Sequence, residues 1–250
     1  MLILRSALFN LFFYFWTAFS LVIVLPTMLL GWRVCYICGR LWPWGLLIGL
    51  RLLVGIKYRV EGLENLPPEP YLFASKHQST WETAVFPLIV PCPVFVLKKE
   101  LLSIPLFGWY LRLFGDIAID RTKGASALKA MVKAGKQRAA EGRSIIIYPE
   151  GTRTMPGQSQ PYLPGVAALY QAVNLPVVPV ALNSGCFWRR HAFIKYPGTI
   201  VVRILPPIPP ALPRKVFMAQ LVDAIETHSK QLAQNANVRR ADALADEARG

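Results

Sequence analysis

The chain has 250 residues, 54% of them hydrophobic, and carries a formal net charge of +14. An apolar and strongly basic chain fits an anionic membrane surface better than free solution. A nucleic-acid partner is disfavoured, because the basic residues are scattered and no helix carries a Lys/Arg stripe with polar base-reading partners.

No acidic residue precedes Glu61, whereas Arg5, Arg33, Arg40, Arg51, Lys57 and Arg59 all fall before it. Between Arg5 and Arg33 the chain is uncharged and mostly Leu, Phe, Val, Ile and Trp. That exceeds the ~20 apolar residues a bilayer crossing needs. It is too long for a signal-peptide core, and no small-residue cleavage site follows it. The next stretch, 34–56, is apolar but broken by Arg40, Pro43 and Arg51, with Trp42 and Trp44 beside the proline. Charge is costly at mid-bilayer depth, while Trp and Arg favour the interface, so this segment lies in the interface or dips in partway. Two arrangements stay open: a re-entrant helical hairpin, or one span followed by an interfacial helix. The hairpin is preferred, because it brings Arg5 and the basic region after Ile48 to one face. Cys35-x-x-Cys38 sits in this apolar stretch; with Cys92 and Cys186 it makes no second pair at zinc-site spacing, so no metal is expected.

From about residue 57 short β-branched runs alternate with amphipathic stretches and Pro/Gly turns. Strands are predicted at 58–61, 71–75, 94–97, 117–119, 144–148, 177–182 and 200–204. Helices are predicted at 80–89, 105–113, 125–140, 166–172 and 216–234. The alternation indicates an α/β fold, a central mixed sheet flanked by helices behind an N-terminal apolar membrane-associated segment. Three regions are expected: anchoring helices over 1–57, a catalytic domain over 58–214, and a C-terminal amphipathic helix with a polar, fraying tail over 215–250.

Four segments carry chemistry. In Ser75-Lys76-His77-Gln78-Ser79-Thr80-Trp81-Glu82, a base and a carboxylate stand five apart. On one helix they would be rotated ~140° apart. They meet only if His77 lies in a loop and Glu82 in the first helical turn, and Ser79 is a suitable N-cap. Ser79-x-x-Glu82 is equally a capping box, which would turn Glu82 onto its own backbone. Next, a short strand ends in Asp120-Arg121 after Gly115, at the edge where α/β sheets place ligands. Arg121 suits an anion unless Asp120 pairs with it. The third segment, Tyr148-Pro149-Glu150-Gly151-Thr152-Arg153, follows a buried strand. The planar fork of Arg153 suits phosphate, a salt bridge to Glu150 being the alternative. The fourth, containing Val178 and Pro179, is uncharged and reads as a core strand lining an apolar pocket. Lys98 and Lys99 end another strand and add positive charge to the same edge.

In this order the segments resemble the glycerolipid acyltransferase family, and within it the 1-acylglycerol-3-phosphate acyltransferases. His77-x4-Glu82 matches the His-x4-Asp block, with Glu for the usual Asp. Gly115 to Arg121, Pro149 to Arg153, and Val178-Pro179-Val180 match the other three, and the likeness covers roughly residues 61–208. The resemblance implies a glycerol-3-phosphate acyltransferase-like fold without a cofactor. It implies acyl transfer from acyl-CoA or acyl-carrier-protein to the sn-2 hydroxyl of lysophosphatidate, giving phosphatidate. His77 would be the base and Glu82 its orienting acid; Lys98, Arg121 and Arg153 would bind phosphate. Glu150, Gly151 and Thr152 would shape the acceptor pocket, and Gly115, Val178 and Pro179 the acyl pocket or its frame. Membrane lipids would be partners, with the catalytic domain on the cytoplasmic side of the inner membrane. Another lysolipid acceptor, such as a lyso-ornithine lipid, or a non-catalytic anionic-lipid-binding protein, are the competing readings.

Overall fold

The computed structural model describes residues 1–247, with side chains to Ala236. The β-branched runs form seven strands: β1 (Ile56–Glu61), β2 (Leu72–Ser75), β3 (Val94–Lys98), β4 (Ile117–Ile119), β5 (Ile145–Ile147), β6 (Val177–Leu182) and β7 (Gly198–Ile204). They make one sheet in the order β1-β7-β6-β2-β5-β3-β4. Five strands, from β6 to β4, are mutually parallel; β7 runs antiparallel to β6 and parallel to β1. The sheet is therefore mixed, as expected.

Side chains alternate faces along each strand. Phe73, Ile146 and Val178 enter one apolar core; Leu72, Ala74, Ile145, Ile147 and Val177 enter the other. β2 and β6 are buried along their whole length, as central strands covered on both faces are. The first core is closed by α1 (Leu2–Val24), α3 (Leu41–Gly49) and α4 (Trp81–Ile89), with α2 (Trp32–Gly39) joining the first two. The second is closed by α6 (Gly124–Ala140), α7 (Pro164–Val173) and α9 (Arg214–Glu247). Two short helices complete the set, α5 (Phe107–Phe114) and α8 (Ser184–Phe187). The four-residue α8 carries too little periodicity to be read from sequence. The backbone of α9 stays helical to Glu247, beyond the predicted end at 234, because its Ala, Arg, Leu and Glu residues are good helix formers.

The two N-terminal apolar segments, Leu2–Leu30 and Trp32–Val54, fold back on each other as a hairpin. Gly45 and Gly49 allow this approach: a Cβ there would lie 2.1 Å from the Trp16 ring and 2.2 Å from the Phe12 ring. Trp16 Nε1 donates to Trp42 O, and Trp42 Nε1 to Thr17 Oγ1, both at 3.0 Å. Arg5 Nε donates to Leu53 O at 2.8 Å, so both ends of the hairpin meet beside β1. Packing runs across the compositional boundary near residue 57. Phe9 and Phe13 meet Trp188 edge-on at 5.4 and 5.5 Å, and Tyr110 donates to Leu21 O at 2.6 Å. The outer face leaves Leu4, Leu11, Phe15, Ile23, Leu29 and Leu52 exposed.

Candidate active site

β2, β5, β3 and β4 end at the same edge of the sheet, and each delivers one of the candidate side chains there. His77 follows β2, Arg153 follows β5, Lys98 closes β3 and Arg121 follows β4. All four line one cavity of about 1040 Å³. Its remaining wall is mostly apolar: Leu101, Phe107, Leu128, Leu163 and Val166, extending to Leu21 and Trp42 of the hairpin. A smaller cavity of about 660 Å³, lined by Cys92, Gly115 and Arg143, lies at the amino ends of the strands, away from His77.

His77 stands in the loop before α4, with Nδ1 2.9 Å from Glu82 Oε1. The same oxygen accepts the backbone N–H groups of Gln78 and Ser79, each at 2.6 Å. Ser79 Oγ accepts the Trp81 N–H at 3.2 Å, two residues on, but the N-cap of α4 is Thr80 and makes no side-chain cap hydrogen bond, so the expected capping box with Ser79 as N-cap is not formed as such. Glu82 nonetheless turns back onto its own backbone while contacting His77: one carboxylate ties down the turn before α4 and holds the imidazole. Its second oxygen accepts from Ser184 Oγ at 2.8 Å. Complete burial pushes the Glu82 carboxyl up. The hydrogen bond and charge of His77, with the Ser79 and Gln78 N–H groups, outweigh that and hold it below its usual value. Glu in place of the family's Asp thus still closes the contact to His77.

The His77 ring stacks on Tyr148, centroids 4.0 Å apart and planes 18° from parallel. The Tyr148 hydroxyl is buried without a hydrogen-bond partner. Burial, then the charge of Glu82, pushes that hydroxyl well above the ordinary tyrosine range, so it stays protonated. The His77 peptide is held on both sides: its N–H donates to Glu150 Oε2 at 3.2 Å, and its carbonyl accepts Thr154 N–H at 2.8 Å and Thr154 Oγ1 at 3.2 Å.

Lys98, Arg121 and Arg153 make no side-chain ion pair among the described residues. The acids that sequence reading offered them are engaged elsewhere. Asp120 takes Lys99 at 3.4 Å and both polar groups of Thr122, while Glu150 takes Lys76 at 2.6 Å. The three cations are thus free to meet an anion in the cavity.

Several expected placements are corrected. Glu150 is not part of the cavity wall: it is buried beneath the His77 loop, ion-paired to Lys76. Thr152 also stands off the cavity wall and accepts from Arg190 Nη1 at 3.3 Å; Arg190 is the residue that lines the cavity. Gly151 does line it, at φ +68, with Arg121 Nη2 3.4 Å from where a Cβ would be. Val178 and Pro179 face no cavity, because β6 is enclosed on both sides and they pair with Phe73 and Ala74. Gly115 caps α5 at φ +76, with no room for a Cβ against Arg138, and is likewise part of the frame. The apolar wall comes instead from α5, α6 and α7, whose inward faces carry no motif. Ser184, Tyr148, Lys76 and Arg190 were missed. Only Lys76 and Tyr148 had a local signal, a charged or hydroxylated side chain at the end of a buried strand.

An Acyltransferase family model matches residues 57–183. Over 156 residues the chain is 46% identical to a 1-acyl-sn-glycerol-3-phosphate acyltransferase of Pseudomonas aeruginosa, covering 62% of this chain and 61% of that one. Over 164 residues it is 32% identical to the enzyme of the same name in Saccharomyces cerevisiae, covering 64% and 54%. The match thus spans between half and two thirds of these relatives' length. The fold superposes on the crystal structure of a 1-acyl-sn-glycerophosphate acyltransferase of Thermotoga maritima with a TM-score of 0.76, over 93% of this chain and 98% of that one, at 20% identity. With its His-x4-Glu loop inside a matched segment that takes in just over half of its residues, the chain belongs to the Acyltransferase family.

Proposed function

We propose that the protein transfers a fatty acyl group from acyl-CoA or acyl-carrier-protein to the sn-2 hydroxyl of 1-acylglycerol-3-phosphate, at a membrane surface. One observation carries this reading: His77, held from behind by the buried Glu82, shares a cavity with three cations that make no side-chain ion pair, and the rest of that cavity's wall is mostly apolar. A phosphate, a reacting hydroxyl and an acyl chain are the three parts such a cavity suits. The names of the matched relatives support the same acceptor.

With Nδ1 donating to Glu82, His77 keeps its lone pair on Nε2. The acceptor hydroxyl gives its proton to Nε2 as its oxygen attacks the thioester carbonyl carbon. The carbon–sulfur bond then breaks, and the leaving thiolate takes the proton from the imidazolium. Glu82, kept anionic by His77, Ser184 and the two N–H groups, stabilises that imidazolium as the acid of a Ser-His-Asp triad does. The nucleophile is the substrate, so neither a covalent acyl-enzyme nor a cofactor is required. Lys98, Arg121 and Arg153 fix the phosphate; the Arg forks suit its oxygens. The exposed apolar face of the hairpin anchors the protein where such lipids partition. We place the body on the cytoplasmic face, where anionic lipid attracts its positive charge.

The test is turnover by the purified full chain in detergent, with lysophosphatidate and either donor, against a panel of other lysolipids. Phosphatidate formation is expected. Acylation of another lysolipid in preference, or of none with either donor, overturns the proposal.

A further inference from the structure

Lys76, the residue before His77, is almost fully buried. A buried ammonium requires partners, and it has acids from two distant parts of the chain. Its Nζ lies 2.6 Å from Glu150 Oε1 in the turn after β5, and 2.8 and 2.9 Å from the two oxygens of Glu226 on α9. Gln158 O accepts from it at 3.0 Å. Glu226 is itself buried and oriented by the Tyr162 hydroxyl, which donates to Oε1 at 2.9 Å. The second oxygen of Glu150 takes the His77 N–H. The contacts thus run without a break from α9 to the peptide that carries the base: Tyr162, Glu226, Lys76, Glu150, His77. Two carboxylates around one ammonium exceed what charge neutrality needs. Burial leaves Glu150 above the usual carboxylate range even though Lys76 and the His77 N–H pull it down. A buried pair alone is weak support for stability, and an apolar replacement would often serve as well. The second carboxylate therefore calls for a role other than stability.

We propose that Glu226 is a positioning residue: from the C-terminal helix it fixes Lys76, and through Lys76 and Glu150 it sets the peptide that holds His77 against Glu82. This rests on the proposed acyl transfer at His77, and it makes α9 part of the catalytic assembly. Glu226 lines no part of the cavity.

The test compares Glu226→Ala with Glu226→Gln in the full-length protein, the Gln keeping an acceptor for Lys76 and Tyr162. The chain has 3 histidines, so 13C-histidine labelling gives few signals, and the one missing in His77→Gln is His77. Glu226→Ala is expected to shift the His77 signal and lower kcat roughly tenfold, with KM for lysophosphatidate within about twofold. Glu226→Gln is expected to restore both. If Glu226→Ala does not fold, Tyr162→Phe carries the test, with a smaller shift and a kcat loss of about two- to threefold. Unchanged His77 signals with unchanged kcat, or a loss confined to KM or to thermal stability, overturn the proposal. If wild type makes no phosphatidate the functional proposal fails, while the His77 signal, which needs no substrate, still decides the positioning.

Discussion

Glu82 Oε1 lies 2.9 Å from His77 Nδ1 while also accepting two backbone N–H groups at 2.6 Å. Placement of the His77 ring and of the turn that leads into α4 therefore depends on one oxygen atom. Glu82→Gln separates the two roles, because an amide oxygen still accepts N–H groups but carries no charge. The variant is expected to fold with unchanged circular dichroism and to lose at least tenfold in kcat, since an uncharged partner stabilises the imidazolium less. Full activity in steady-state assays would reduce Glu82 to a cap.

His77→Ala is expected to remain folded and lose about 10²–10⁴ in turnover, the usual contribution of a general base. Residues that act as a unit are not additive, so His77→Ala/Glu82→Gln should turn over no more slowly than His77→Ala alone. Measured kcat for the two single variants and the double variant closes that cycle. An extra loss in the double variant would mean that Glu82 has a catalytic role without His77.

This pair was legible in the sequence because its parts are five residues apart and the intervening Ser79-Thr80 marks the turn into the helix, whose N-cap is Thr80 rather than the expected Ser79. Arg121 and Arg153 were legible for a similar reason: each follows a strand whose carboxyl end can be read locally. Val178 and Pro179 were misread as possible pocket wall, because an uncharged buried strand has the same pattern whether it faces a cavity or packed side chains. Glu150 was misplaced because nothing local marks Lys76 as its partner; the burial of Lys76 follows from β2 lying centrally, which only the strand order reveals. Glu226 stands 150 residues from Lys76, and no local pattern connects two such positions.

Arg153→Ala and Arg121→Ala should raise KM for lysophosphatidate about tenfold or more, because each removes a charge-assisted contact worth ~1.5–3 kcal/mol. Lys98→Ala should have a smaller effect, because a lysine ammonium is more strongly hydrated and lacks the planar fork. Acceptor titrations at fixed donor concentration measure this. A matched rise with a phosphate-free acceptor such as a lyso-ornithine lipid would show that the cations do not read the phosphate.

Gly151 sits at φ +68, where a side chain costs ~1–2 kcal/mol, and a Cβ would come 2.4 Å from Leu163 Cδ1. Gly151→Ala should push Leu163 into the cavity beside Arg121. The expected result is a raised KM for the acceptor with the fold retained, read from kinetics together with thermal unfolding.

Asp116 supplies a pH dependence of stability with a sign opposite to that of a paired carboxylate. Burial raises its pKa from 3.8 to about 7, only partly offset by the Phe95 N–H and the charges of Arg143 and Arg138. The carboxyl accepts that N–H at 2.7 Å. Below the unfolded value both states are protonated, and the native state has its full stability. Between about 4 and 7 the unfolded chain releases the proton while the folded protein retains it, so stability falls as pH rises, and it levels off above about 7. The whole change is on the order of 4 kcal/mol at most. Asp116→Asn keeps the acceptor for Phe95 and removes the titration. Its unfolding temperature should exceed that of wild type by several degrees at pH 8, with the difference vanishing towards pH 4. Thermal unfolding of both proteins across that range measures it; parallel curves would mean that Asp116 is ionised in the folded protein at neutral pH.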